Sequence, residues 1–231
     1  MRVCQAAGMF EEMKLKAIEY VDSVETVDAE GMELFSIAFK SVLSPRRRAW
    51  RAFKHEEAAN MEKGQDRLHF LVGEQREKLE GEILSICAQL LALVGRLLSV
   101  KGDSEGADGR VLYLKLRGDA SRYMSEIYES RGDRQLHTES VMNAKAAYEA
   151  ASVLARNLPP VDPTGLGLAV NFSLFTFHVL KRPHDACVIA KDAYARAALV
   201  LGPTSSASDQ VRTGMQTLRD NLVLWTCSRS V

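Results

Sequence analysis

Apolar residues along this chain recur every three or four positions over long stretches, the period of an amphipathic helix. The clearest instance is Leu79, Ile83, Ile86, Leu90, Leu93 and Leu97, which make one buried stripe of a long helix over about 66–99. Ala, Leu, Glu, Lys and Arg, all good helix formers, fill the segments between breakers, and few runs alternate as strands do. The pattern predicts helices over about 10–23, from 27–30 to about 62, 66–99, 110–130, 134–157, 163–181, 183–201 and 205–228. Pro45 lies inside the second of these, where its missing backbone donor predicts a kink. Residues 101–109, rich in Gly, Asp and Ser, read as a loop. Gly132, the pair Pro159 and Pro160, Pro183, and the pair Gly202 and Pro203 punctuate the rest. Short connectors imply antiparallel neighbours, so the expected fold class is all-α, a stacked helical array.

Composition narrows the function classes. The chain has 231 residues, enough for a sizeable core. Lys+Arg and Asp+Glu are equal at 30 each, so net charge points to no polyanionic partner. A nucleic-acid role would need strong local segregation of charge. The four cysteines, Cys4, Cys87, Cys187 and Cys227, form no CxxC pair and read as free thiols in a reducing compartment. The start lacks a basic-then-apolar signal pattern. The longest apolar stretch, 83–94, is broken by Ser85 and Gln89 and is too short to span a bilayer. The expectation is a soluble chain of the cytoplasm, or of cytoplasm and nucleus, with no membrane insertion.

Some charges stand in patterns of their own. The run PRRRAWR (45–51) is the densest basic cluster. As a bland feature it is a solvated helix face; as a sharp one it is a nuclear-localisation or RNA patch. Helical geometry adds that Lys40, Leu43 and Arg47 share one row, continued by Trp50, a residue costly to leave in water. Lys115, Asp119 and Arg122 form a second charged row, and such pairing holds an Arg ready for a phosphate. Asn171, Leu174 and His178 share a face, as do Thr217, Asn221 and Leu224. Either Asn alone reads as structural. Together they point to a groove with amides placed for an extended peptide backbone.

Nothing asks for catalysis. His55-Glu56-Glu57 lacks the second His of a zinc-protease motif, and His137, His178 and His184 lack metal-ligand spacing. Gly165-Leu166-Gly167 lacks the third Gly and the preceding strand of a dinucleotide loop. No Ser, Cys or Thr has a recognisable base and orienter. The expectation is a non-enzyme without metal or cofactor.

Four stretches carry a family resemblance: VLYLKLRGDASRY (111–123), LPPVDPTGLGLAVNFSLF (158–175), LRDNLVLWT (218–226) and FSIAFKSVLSPRRRAWR (35–51). In order and spacing the chain resembles the 14-3-3 family over nearly its whole length. The resemblance implies one domain over 1–231: nine antiparallel helices in a cup with a concave groove, 1–62 carrying dimerisation and clamp helices and 66–231 the remaining groove helices. It implies an adaptor that binds phosphoserine or phosphothreonine segments of client proteins and so regulates them. By position, Lys40, Arg47, Arg122 and Tyr123 match the phosphate clamp. Asp119 matches the acid that steadies it, and Lys115 a further groove Lys. Asn171 and Asn221 match the amides on the peptide backbone. Val170, Leu174, Leu224 and Trp225 match the apolar wall. The chemistry suits the task, since a phosphoserine dianion offers strong acceptors to the planar Arg fork, the Lys point charge and the Tyr hydroxyl.

The departures from the family pattern are specific. His178 replaces a Glu, which predicts a lost or pH-sensitive groove contact. Thr213, Gly214 and Thr217 stand where the family's wall is aliphatic, which predicts a shallower apolar side. Glu12 and Lys78 match one cross-subunit ion pair. Met9 replaces the Arg that would meet Glu82, and Gln75 replaces an aromatic at the seam. Ala49 replaces a Ser whose phosphorylation splits dimers in many members. The chain begins partway through the family's first helix and stops without its acidic tail. A homodimer, or a heterodimer with a paralogue, is expected. The altered wall motivates an alternative, a helical scaffold that binds partners independently of phosphorylation.

Overall fold

The computed structural model describes residues 1–24, 27–100, 107–201 and 207–227. Among them stand nine helices and no strand: α1 (Arg2–Ala6), α2 (Phe10–Ser23), α3 (Ala29–Glu62), α4 (Asp66–Val100), α5 (Ala107–Arg131), α6 (Arg134–Ala155), α7 (Pro163–His178), α8 (Pro183–Val200) and α9 (Asp209–Cys227). The chain folds as two compact units. One joins 1–104 to 123–137, the other 105–122 to 138–231. The units part within α5 and α6.

In the first unit α1 packs on α2, α2 on α3, and α3 on α4. The side chain of Asp28 caps α3 by accepting from the Gly31 amide at 2.7 Å, which satisfies one of the orphan donors of the first turn. α3 runs as one helix through Pro45. Along α4 the stripe Ile83, Ile86, Leu90, Leu93 and Leu97 is buried as its period requires, while Leu79 is half-buried. By length and composition all of α4 could cross a membrane, a broader reading than the stretch 83–94 alone gives. Its stripe faces the protein core.

That core holds one fully buried carboxylate. Glu80 accepts from Trp50 Nε1 (2.9 Å), Arg76 Nη1 (2.5 Å) and Arg131 Nε (2.8 Å), and Arg76 also reaches Glu57 through Nε (2.5 Å). Burial pushes the Glu80 carboxyl up, but the bonds from Arg131, Trp50 and Arg76, with the Arg76 charge, outweigh it and hold it below 4.5. Trp50 of α3 thus meets α4.

In the second unit one cluster joins Val111 of α5, Ala144, Tyr148 and Ala151 of α6, and Leu168 and Phe175 of α7. Another joins Leu166 of α7, Ala186, Ala190 and Ala197 of α8, and Leu218 and Trp225 of α9. Asp162 caps α7 through the Gly165 amide (2.8 Å), with Pro163 in the first turn. α7 ends at His178, three residues before the sequence pattern stops. There the Val179 and Leu180 amides close on the Phe175 carbonyl, and Lys181 takes a left-handed φ of 56° before Pro183 opens α8.

α1 has no counterpart in the hydrophobic pattern, because five residues are too few to show a period. Gly8 separates it from α2 at φ 69°, a conformation open to glycine without steric cost. The predicted loop at 101–109 lies mostly outside the described residues, as do the Gly202–Pro203 connector and position 228.

Candidate functional site

Two sets of polar side chains stand out, one in each unit, and α5 contributes to both. In the first unit the Arg47 guanidinium carbon lies 3.6 Å from the centroid of the Tyr123 ring. This cation–π contact fixes the plane of the fork. Glu126, one turn beyond Tyr123 on α5, accepts from Arg47 Nη2 through both oxygens, at 3.0 and 2.7 Å. Its Oε2 also accepts from Arg51 Nη2 at 3.3 Å. Both bonds from Arg47 use Nη2, so Nε and Nη1 carry the rest of its donor set. Lys40 lies on the same face of α3, exposed, and among the described residues it has no hydrogen bond or ion pair.

In the second unit Asp119 is 6% exposed and carries a dense set of donors. It accepts from Lys115 Nζ (2.8 Å), from the Tyr148 hydroxyl (2.6 Å) and from Asn171 Nδ2 (2.8 and 2.9 Å). Burial pushes its carboxyl up. The Lys115 and Arg122 charges and the bonds from Lys115 and Tyr148 outweigh that and hold it below 3.8. Arg122, 8% exposed, donates from Nε to the Tyr148 hydroxyl at 3.4 Å. Gly118 lets this happen: a Cβ there would stand 2.7 Å from the Tyr148 ring, so only glycine admits the ring against α5.

The expected groove residues divide. Val170 and Leu174 are half-buried against the cluster of α7, α8 and α9, and Leu224 is 63% exposed. Trp225 was expected on the apolar wall. It is 5% exposed, and its ring stacks on Phe177 with centroids 4.6 Å apart. Asn221 has its Nδ2 buried without a hydrogen-bond partner, one turn before Trp225. Thr217 returns its hydroxyl to the Thr213 carbonyl (2.8 Å), which spends the polarity of that position within α9. Gly214 allows close approach, since a Cβ there would meet Leu166 Cβ at 3.3 Å. His178 is exposed at the end of α7.

At the expected seam Met9, Gln75 and Lys78 are exposed and Glu12 is half-buried. Glu82 already has a partner in its own chain. Arg46 donates to it from Nε at 2.9 Å and to Glu11 from Nη1 at 2.8 Å, tying α2, α3 and α4 together. The part of Arg46 is structural.

Sequence reasoning missed Glu126 and Tyr148. Glu126 had a signal, since it follows Arg122 by one helical turn. Tyr148 had none, because its partners lie 26 or more residues away.

A 14-3-3 protein family model matches residues 1–226. This chain belongs to the 14-3-3 family. Relatives agree along its length. It is 35% identical over 230 residues to "14-3-3 protein 6" of Solanum lycopersicum, covering 97% of this chain and 87% of that protein. It is 37% identical over 224 residues to "14-3-3 protein homolog" of Trichoderma harzianum, covering 96% and 82%. It is 34% identical over 227 residues to "Checkpoint signal transducer rad25" of Schizosaccharomyces pombe, covering 97% and 82%.

Proposed function

We propose that this 14-3-3 chain is a regulatory adaptor, without catalytic activity of its own, that binds phosphoserine or phosphothreonine segments of client proteins. Family membership supports the adaptor role and the capture of client proteins, and a relative named as a signal transducer agrees with it. Family members also form dimers, which supports pairing of this chain.

The observation that carries the phosphate reading is the Arg47 fork held flat on Tyr123 and steered by Glu126. A preorganised guanidinium loses little freedom when it binds, and its charge-assisted bonds to phosphate are about twice as strong as neutral ones. Lys40 adds a point charge on the same helix face, and Tyr123 a hydroxyl. Arg122, which the family pattern adds, precedes Tyr123 on α5. Asp119 orients its neighbours and takes no phosphate itself.

Titration of a labelled phosphopeptide and its dephospho form tests this. Micromolar or tighter binding, about 8 kcal/mol, is expected for the phosphopeptide alone. Arg47→Ala and Tyr123→Phe should each weaken it. Equal binding of both peptide forms would replace this reading with a phosphate-independent scaffold, the reading that Thr213 and Thr217 on the wall favour.

A further inference from the structure

A cavity of about 520 Å³ opens on α3 within the first unit, and its wall is one-sided in charge. Lys40, Arg47, Arg48 and Arg51 line it, and among the described residues no carboxylate does. Glu126 reaches Arg47 and Arg51 from α5. Among the described residues Lys40 and Arg48 have no hydrogen bond or ion pair, and both are exposed. Phe10 of α2 and Ile37 and Pro45 of α3 supply apolar lining, with Gln5, Ser41 and Ser44 beside them, and Phe10 is 36% exposed.

This cavity extends beyond the clamp. Lys40 and Arg51 stand about 16 Å apart along the helix axis at 1.5 Å per residue. An extended peptide covers that length with about five residues. Four cations against one carboxylate leave a surplus that a single phosphate dianion does not balance. One further negative charge does. A second phosphate would overshoot, so the complement is a carboxylate side chain.

We propose that the α3 cavity is a subsite for an acidic residue of the client, an Asp or Glu within about five residues of the phosphorylated one, with Arg48 as its principal partner. Phe10, Ile37 and Pro45 cover the apolar part of the same stretch of client. The inference rests on the phosphopeptide reading above and narrows it to clients with an acidic flank. Arg48 sets this preference because its charge is not shared with Glu126. Phe10 contributes area and no charge.

The test is anisotropy titration at low salt with phosphoserine peptides in which one Glu is moved through the five positions on each side, against Gln at the same positions. At one or more positions Glu should bind about three- to fivefold tighter than Gln, the scale of a partly exposed ion pair. Arg48→Ala should abolish that advantage and leave the Gln peptide within about twofold of wild type. Arg48→Glu should reverse it, so that a Lys peptide binds better than the Glu peptide. Glu and Gln binding alike at every position would overturn the proposal, as would equal weakening of both peptides by Arg48→Ala. Binding that ignores the phosphate would overturn the underlying reading and this one with it. Phosphate dependence without an acidic preference would overturn this one alone.

Discussion

Replacing Gly118 by Ala should destabilise the protein even though alanine is the better helix former. The added Cβ would lie 2.7 Å from Tyr148 Cδ1 and Cε1 and 3.0 Å from Cγ. Tyr148 has no room to retreat. It is fully buried, packs on Phe172 and Phe175 with centroids 5.5 and 5.4 Å away, and donates to Asp119 at 2.6 Å. Overpacking a buried site costs about 1–3 kcal/mol. Shifting the hydroxyl off a carboxylate forfeits a bond worth about 1.5–3 kcal/mol. Alanine returns about 1 kcal/mol of helix propensity. The loss wins by about 2 kcal/mol, and at about 2–4 °C per kcal/mol the Tm should fall by about 4–8 °C. Thermal unfolding followed by circular dichroism measures this, with Gly81→Ala as control. Gly81 sits in α4 with nothing within 4 Å of a built Cβ, so that variant should gain about 1 kcal/mol and melt higher. Adding Tyr148→Ala should remove most of the penalty of Gly118→Ala, because the two share one cause. A Gly118→Ala protein that melts at or above wild type would refute the close approach.

Glu80→Gln should cost about 3 kcal/mol, because it leaves Arg76 and Arg131 without the buried charge they share. Denaturation in urea, followed by Trp fluorescence, reads it, and an unmoved midpoint would mean that those guanidiniums find other partners at no cost. Stability should also fall in acid. Glu80 and Asp119 are both held below their ordinary values of 4.5 and 3.8. Their stabilisation is complete above those values and is lost as pH descends through the lower folded ones. Melting temperature from pH 6 down to 3 should therefore drop most steeply below about 4.5, and Asp119→Asn should flatten the lower part of that drop. A wild-type Tm constant over that range would contradict the assignment.

The periodic elements were legible because period and punctuation are local properties. The α4 stripe, the breaks at Gly132 and Pro183, and the proline opening α7 each need only a few consecutive residues. The charged rows were legible for the same reason, since Lys115 and Asp119 pair across one helical turn. Partners distant in sequence were not. Tyr148 is invisible beside Asp119 until α5 and α6 pack, and nothing local announces that Arg46 joins Glu11 to Glu82. The burial of Trp225 was not legible, because an amphipathic row gives the face of a helix but not its depth. Its stacking on Phe177 is a tertiary fact. The clamp assignment of Lys40, Arg47, Arg122 and Tyr123 rests on resemblance, and physics alone supplied only their rows.

If the proposed phosphate reading holds, Glu126 sets a threshold for what can mimic a phosphorylated client. Its carboxylate already occupies one nitrogen of Arg47 and reaches Arg51. On the proposed reading, a client whose phosphoserine is replaced by Glu brings only a like group of equal charge to that fork. It exchanges one carboxylate for another and gains little. A phosphate dianion brings twice the charge and a third acceptor oxygen, so it engages the fork with the resident acid still in place. On that reading the resident acid acts as an internal standard against which every incoming anion is weighed, and a kinase's product should pass where a genetically encoded imitation should not.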